Sequence, residues 1–167
     1  MEWNYANVPE GLIELTSGAY ELKAFYGDPN FTASTQDMYV EGKKIFNVDH
    51  NQTEVFVTCK PVCGKVTVQF DSKMADYFND YSISFNTKAL GESIIAWTKD
   101  STDPIYMKVE NNESITATYN LVDKTGKIAE KPIVKTYDLS PQKHLILKVV
   151  PVVSGGNLGI TITVDDK

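Results

Sequence analysis

Hydrophobic and polar residues alternate with a period of two along most of this chain. Apolar side chains occupy every second position of six segments, and most of the positions between them hold Thr, Ser, Lys or Glu. Successive side chains of a strand point to opposite faces, so each segment is predicted to be a strand with one buried and one solvated face. The segments are residues 20–26, 55–59, 66–70, 81–85, 115–121 and 160–164.

Turn signals separate these segments at intervals of about 8 to 12 residues, a spacing typical of β-sandwiches. Examples rich in Gly, Asn and Asp lie at residues 27–30 and 154–157. The only helical pattern is at residues 72–79, one or two turns long, with Ser72 as a suitable N-cap. The chain is therefore predicted to be all-β, an antiparallel immunoglobulin-like or transthyretin-like β-sandwich with about ten strands and at most one short helix.

The length of 167 residues fits one domain of ordinary size, so we predict a single β-sandwich over residues 1–167. Two lobes, residues 1–72 and 73–167, are the alternative. The best candidate boundary is the segment 71–80, but it carries Met74, Tyr77 and Phe78 and is interpreted as a connection packed on the core. Internal repeats of 20 to 50 residues are not found.

The charged residues exclude some classes of partner. All 16 basic residues are lysine, and the formal net charge is −6. Nucleic-acid binding usually needs a basic surface and often arginine, so no nucleic-acid partner is expected. A cationic membrane-binding patch is equally unsupported.

Motifs for catalysis are missing from the sequence. No serine stands in a Gly-x-Ser-x-Gly motif, and His144 could only in principle meet Ser140. His50 is interpreted as a turn residue, and Asp100 with Asp103 as a solvated turn rather than a calcium site. We therefore predict no catalytic residue, metal or cofactor, with a small glycosidase as the enzymatic rival.

Aromatic residues beside predicted loops suggest carbohydrate as a ligand. Exposed rings stack on sugars, so Trp3, Tyr39 and Trp97 are candidate glycan contacts. The alternative is that these large rings fill the two ends of the sandwich.

Cys59 and Cys63 are interpreted as two small buried apolar side chains, or as a disulfide if the chain bends at Pro61. In a straight strand their Cα atoms would lie about 13 Å apart, too far for a bond.

Several strand entries and glycine turns resemble a known family. Residues 3–27, with a strand that ends at Gly27, are similar to the opening of the fimbrillin-like cell-adhesion surface lipoproteins of Bacteroidetes. Residues 39–48 resemble the next strand of that family, and residues 53–60 with 66–70 resemble its paired central strands. The shared motifs are structural, so the resemblance supplies no catalytic residues.

The resemblance implies a non-enzymatic cell-surface adhesion or fimbria-like structural protein, with a carbohydrate-binding module as the alternative. It also implies export and anchoring at the outer membrane, although the signal and the lipid-anchor cysteine of the family are absent from this chain. A protein partner or a surface glycan is the expected ligand. The family's first strand is not recognisable before Trp3, so a donor strand from a partner subunit is expected to complete a sheet edge.

Overall fold

The computed structural model describes residues 1–51, 53–128 and 132–166. Within them it contains twelve strands, a four-residue helix α1 (Met74–Tyr77) and a 3-10 turn (Tyr5–Asn7). The strands are β1 (Gly18–Tyr26), β2 (Ala33–Ser34), β3 (Val40–Val48), β4 (Lys60–Pro61), β5 (Cys63–Phe70), β6 (Phe78–Asn86), β7 (Ile95–Thr98), β8 (Ile105–Lys108), β9 (Glu113–Asp123), β10 (Ile133–Leu139), β11 (His144–Ser154) and β12 (Asn157–Asp166).

Three sheets make up the described part of the fold. A four-stranded sheet has the order β10-β9-β6-β7, and a five-stranded sheet has the order β12-β11-β5-β8-β2. These two sheets share one hydrophobic core, because the same buried cluster holds Phe85 and Tyr119 from the first and Val66 and Leu147 from the second. The predicted all-β sandwich is thereby confirmed. The third sheet is small and has the order β1-β3-β4.

One strand pair departs from the predicted antiparallel pattern. β11 runs parallel to β5, from His144 opposite Lys65 to Val149 opposite Phe70, while the other pairs are antiparallel. Parallel neighbours need a long crossover connection. Here the crossover contains the whole four-stranded sheet, which explains how two strands distant in sequence come to lie side by side.

The helix predicted at residues 72–79 is present but shorter, as α1. Met74 is fully buried in the main core, whereas Tyr77 is 40% exposed. The segment therefore packs on the core through Met74, which agrees with its interpretation as a packed connection.

The predicted strand at residues 55–59 is wrong, because regular pairing begins only at β4. Val57 and Thr58 pass over the face of β3 at Gly42, where a β-carbon would lie 3.0 Å from Cγ2 of Val57 and collide with the Thr58 carbonyl. A segment that crosses a sheet face cannot form a ladder with it, although its side chains still alternate. Phe56 accordingly projects into solvent with 81% exposure.

The topology bears on the alternative of two lobes. β5, which precedes residue 72, lies between β8 and β11 in the five-stranded sheet. A boundary at residue 72 would divide this sheet. We therefore retain a single domain over residues 1–167 as the prediction.

Candidate functional site

The connection between β1 and β3, residues 27–39, forms a loop whose two ends meet. Gly27 has φ +93°, and a β-carbon there would lie 3.0 Å from the Met38 carbonyl oxygen. Glycine suits both the left-handed backbone and this close approach. A compact loop with adjacent ends is an Ω-loop, a type that often carries function. We call residues 27–39 the Ω-loop.

Hydrogen bonds fix the first half of the Ω-loop. Asp28 Oδ1 accepts the backbone N–H of Asn30 at 2.8 Å, and the Asp28 carbonyl accepts that of Phe31 at 2.9 Å. Phe31 is 8% exposed and packs in a small core with Tyr39 and Cys63. The turn is thus anchored at its base by a buried ring.

The second half of the Ω-loop is fixed by a sheet and by a serine. β2 pairs with β8, with Ala33 opposite Met107, which joins the loop to the five-stranded sheet. The Ser34 hydroxyl oxygen accepts the backbone N–H groups of Gln36 at 3.0 Å and of Asp37 at 3.2 Å. The loop is therefore a preformed structure.

A cavity of about 510 Å³ opens along this loop. Ligand pockets in proteins are typically about 300–1,000 Å³. Tyr26, the last residue of β1, stands at its edge with 73% exposure. Polar side chains supply much of the remaining lining, namely Asp28, Asn30, Thr32, Ser34 and Asp37.

An ionic network connects β1, β3 and the end of the Ω-loop. The Tyr39 hydroxyl donates to Glu41 Oε2 at 2.9 Å, and Lys23 Nζ lies 3.4 Å from the same oxygen. Lys43 Nζ lies 3.8 Å from Glu41 Oε1, and Lys23 Nζ stands 5.5 Å from the centroid of the Phe25 ring. The network ties the loop to the three-stranded sheet.

The network shifts the pKa values of its members. Donation from Tyr39, and then from Lys23, holds the pKa of Glu41 below its usual value. Burial first, and then the bond to Glu41, raises the pKa of Tyr39. The hydrogen bond to Glu41 raises the pKa of Lys23. Each shift favours the paired form at neutral pH.

A second cavity of about 490 Å³ lies between the three-stranded sheet and two loops of the sandwich. Lys43 and Lys60 line it on one side, and Asn111, Pro141 and Gln142 line it on the other. Glu41 also lines it, so this cavity holds two lysines and one carboxylate, whereas the Ω-loop cavity holds two carboxylates.

The outer edge of β1 is the most extended open surface of the three-stranded sheet. All nine residues of β1 pair with β3 on one side, from Gly18 opposite Val48 to Tyr26 opposite Val40. On the other side, no strand of the described residues pairs with it. Its outer backbone groups remain available to a further strand.

The structure corrects two of the three predicted glycan contacts. Tyr39 is 2% exposed and Trp97 is 4% exposed, so neither ring offers a face to a sugar. Tyr39 fills the small core beneath the Ω-loop, and Trp97 on β7 lies in the main core opposite Ile83. Interior packing of these large rings was the alternative to sugar binding in the sequence analysis. Trp3 is 40% exposed and stays a prediction.

The two cysteines are free thiols in the structure. Cys59 is exposed, and its thiol donates to the Ala24 carbonyl at 3.6 Å. Cys63 is buried with Phe31 and Tyr39, and burial raises the pKa of its thiol. The suggested disulfide is not formed here, and only Cys63 fits the description of a small buried apolar side chain.

The histidine and serine considered for catalysis are engaged apart from each other. His144 Nε2 lies 2.9 Å from Thr67 Oγ1. Ser140 Oγ accepts the backbone N–H of Asn112 at 2.8 Å and donates to the Asn112 amide oxygen at 3.2 Å. Ser140 thus stabilises the turn that contains Asn112 through these two hydrogen bonds.

The described residues contain neither a metal-binding cluster nor a membrane-spanning helix. Within residues 1–51, 53–128 and 132–166, no group of three or more His, Cys, Asp or Glu side chains is arranged to hold a metal ion. No helix in this part of the chain is long and apolar enough to cross a membrane.

Sequence reasoning missed the Ω-loop site. Residues 27–30 were recognised only as a turn signal, and Tyr26 only as a member of a strand. The available signal was a polar segment of thirteen residues between two strands, which is longer than most hairpin loops.

Several solved structures match this chain at low sequence identity. The solved structures that match include a candidate cell adhesion protein from Bacteroides fragilis, at 10% identity and TM-score 0.41 over 90% of this chain and 66% of that chain. A fimbrial assembly protein from Parabacteroides distasonis matches at 14% identity and TM-score 0.37, over 77% of this chain and 56% of that chain. A candidate cell adhesion protein from Bacteroides ovatus matches at 9% identity and TM-score 0.41, over 98% of this chain and 73% of that chain.

The chain spans just under two thirds of the length of the first structure. No curated protein matches. A family model described as a domain of unknown function, DUF4493, matches residues 1–167. Since that match extends over the whole sequence, the chain belongs to the DUF4493 family.

Proposed function

We propose that this domain is a non-enzymatic component of a bacterial surface adhesion or fimbria-like assembly, which accepts a strand from a partner subunit at the edge of β1. The observation that carries the proposal is the open edge of nine residues, each paired with β3 on the inner side. An exposed edge of this length is a template for strand addition, in which main-chain hydrogen bonds supply affinity.

Two exposed aromatic side chains of β1 would also contact a partner strand. Phe25 is 45% exposed and Tyr26 is 73% exposed, and both follow the edge towards the Ω-loop. A strand laid beside β1 would place its own side chains against these rings. Cross-strand pairs of aromatic and β-branched residues stabilise such a contact.

Export to the cell surface belongs to the same proposal. The protein would be carried out of the cytoplasm and anchored at the outer membrane. An acidic surface with lysine as its only basic residue suits solubility there. The partner is a protein strand or a surface glycan, and nucleic acid is not among the partners we propose.

The test uses a synthetic peptide with the sequence of β12, residues 157–166, as a donor strand of matching length. Amide hydrogen exchange is followed along β1 in the free domain and with the peptide. Successive N–H groups of an antiparallel edge strand face alternately inward and outward, so only alternate amides of β1 should exchange fast in the free domain. The peptide should slow those fast amides.

A peptide of the same sequence with N-methylated backbone positions is the matched control. It keeps every side chain but cannot donate to the edge, so it should leave exchange along β1 unchanged. Sedimentation of the domain alone reports whether copies associate through the same edge. Equal exchange along β1 with and without the unmodified peptide, together with a monomer at all concentrations, would refute strand addition.

A further inference from the structure

We infer that the cavity of the Ω-loop binds a neutral saccharide directly, with a sugar ring stacked on Tyr26 and its hydroxyl groups bonded to Asp28, Asn30 and Asp37. This inference rests on the proposed function, which names a surface glycan as one partner, and it gives that glycan a site; strand addition needs the backbone of β1, whereas saccharide binding needs the cavity at its end. It also relocates the aromatic contact to Tyr26.

The cavity combines the two kinds of surface that a pyranose ring presents. One face of a pyranose carries C–H groups and packs on an aromatic ring, while its rim carries hydroxyl groups that donate and accept hydrogen bonds. Tyr26 provides an exposed ring at the cavity edge, with 73% exposure. The volume of about 510 Å³ has room for more than one sugar residue.

The polar groups of the cavity have bonding capacity left for a ligand. Asp28 uses Oδ1 for the N–H of Asn30, which leaves Oδ2 as an acceptor. The Ser34 oxygen accepts two backbone N–H groups, and its own hydrogen is available to a ligand oxygen. Within the described residues, no hydrogen bond or ion pair engages the Asp37 carboxylate. Carboxylates are strong acceptors for sugar hydroxyls.

The charge of the cavity selects a neutral sugar. Asp28 and Asp37 both line it, and none of the lysines that the structure describes does. A sialic acid or uronic acid would place a third carboxylate beside these two at an energetic cost. An anionic sugar would meet two lysines, Lys43 and Lys60, in the second cavity, which Glu41 also lines.

The Ω-loop is fixed before any ligand arrives. Phe31 is buried beneath it, β2 joins it to β8, and Gly27 closes its neck on Met38. Binding to a fixed loop avoids much of the entropic cost of ordering the site. Protein sugar sites are often shallow and weak, so this pre-organisation is important for a measurable affinity.

The experiment measures binding by NMR titration of the full chain with neutral oligosaccharides of glucose, galactose, mannose and N-acetylglucosamine, each beside a sialylated or uronate counterpart. We expect saturable shifts at residues 26–38 with at least one neutral sugar, unchanged by a chelator, and weaker binding of its anionic counterpart. Tyr26→Ala should weaken binding about tenfold or more. Tyr26→Phe should keep most of it.

Matched variants separate binding from folding. Asp28→Asn keeps an oxygen for the N–H of Asn30, so the loop should persist while an anionic acceptor is lost. Tyr77→Ala removes another exposed tyrosine, 40% exposed on α1, and should change nothing. Asp28→Asn and Tyr77→Ala change no residue of β1 and should not alter protection of β1 by the β12 peptide, so a failure here and a failure of strand addition remain distinguishable.

Four results would overturn the inference. They are no binding to any neutral sugar, binding that vanishes with chelator, binding that Tyr26→Ala leaves intact in the folded protein, and a preference for anionic sugars that is lost in Lys60→Gln. The last result would assign saccharide binding to the second cavity.

Discussion

Gly64 on β5 lies directly against the side chain of Leu139 on β10, across the two sheets of the sandwich. A β-carbon at residue 64 would come within 2.5 Å of Leu139 Cγ. Gly64→Ala should therefore overpack the core and lower the free energy of unfolding by about 1–3 kcal/mol. Urea denaturation of the two proteins measures the difference.

Two further variants test the cause of this cost. Leu139→Ala should lower the free energy of unfolding by about 2–5 kcal/mol, because it opens a cavity in the core. In that background Gly64→Ala should cost much less than in the wild type, because its methyl group then has space. Gly11→Ala, where a β-carbon meets nothing within 4 Å, is the control and should have little effect. Equal costs of Gly64→Ala in both backgrounds would contradict the explanation.

The hydroxyl groups of Tyr119 on β9 and Tyr137 on the neighbouring strand β10 lie 2.7 Å apart. Tyr119 is 1% exposed. Tyr137→Phe should cost about 1–3 kcal/mol, because it leaves the Tyr119 hydroxyl buried without its partner. The double variant with Tyr119→Phe should recover part of this loss. Thermal unfolding should rank the wild type as the most stable, the double variant next and Tyr137→Phe as the least stable.

The same pair predicts sensitivity to base. Burial, and then the bond to Tyr137, raises the pKa of Tyr119 far above its ordinary value. Burial also raises the pKa of Tyr137. In the unfolded chain both titrate near pH 10, about the reference value. The stability that the two raised pKa values contribute is therefore fully present below about pH 10, and it is lost as the pH rises above that value. The double phenylalanine variant should lose less stability between neutral and strongly alkaline pH than the wild type does.

The sequence predicted what depends on alternation and turn composition. The segments at 66–70, 81–85, 115–121 and 160–164 all lie within strands. Alternation could not distinguish a strand from an extended segment that crosses a sheet, which is why residues 55–59 were misassigned. It could not show the parallel pairing of β5 with β11 either, since that pairing depends on a crossover of more than 70 residues.

The candidate site was less predictable than the fold. The expected glycan contacts Tyr39 and Trp97 are aromatic residues beside loops, and a sequence does not reveal whether such a ring points inward. The Ω-loop cavity arises from the closure of Gly27 on Met38 and the insertion of Phe31 into a small core. Both are contacts between residues that carry no recognisable motif.

Glu113 is a buried carboxylate that joins two loops. It is 4% exposed, and its two oxygens accept the backbone N–H of Lys88 at 2.7 Å and that of Glu110 at 2.8 Å. Glu113→Gln replaces one acceptor by an NH₂ group that would face another donor. The free energy of unfolding should fall by about 1–3 kcal/mol, measured by urea denaturation.

Controls for this prediction lie in the same region. Lys88→Gln keeps the backbone N–H and removes only an ion pair with Glu110 in which both side chains are 70% exposed, so its effect should be small. Glu92→Gln changes an exposed carboxylate and should also be nearly neutral. A loss in Lys88→Gln as large as that in Glu113→Gln would assign the effect to the ion pair instead.

The Tyr39 hydroxyl is the main cause of the lowered pKa of Glu41. In Tyr39→Phe, the pKa of Glu41 should rise towards its ordinary value, as carbon-detected NMR titration would show. A lowered pKa stabilises the fold above the unfolded value of about 4.3, and this contribution disappears as the pH falls through the folded value. Tyr39→Phe should therefore reduce the acid dependence of stability. An unchanged Glu41 pKa in the folded variant would assign the shift to Lys23 and Lys43.

The two cysteines should react at very different rates. Cys59 is exposed and Cys63 is buried beneath the Ω-loop with a raised thiol pKa, so a thiol reagent should modify one residue in the native protein and both after denaturation. Peptide mapping should identify the native adduct at Cys59, and Cys59→Ser should abolish it. A native protein with no reactive thiol, whose mass increases only after reduction, would instead show that the chain bends at Pro61 and forms the disulfide. Because Cys63 packs against Phe31, rapid labelling of Cys63 in folded Cys59→Ser would also mean that the Ω-loop opens readily, which would contradict its description as a preformed site.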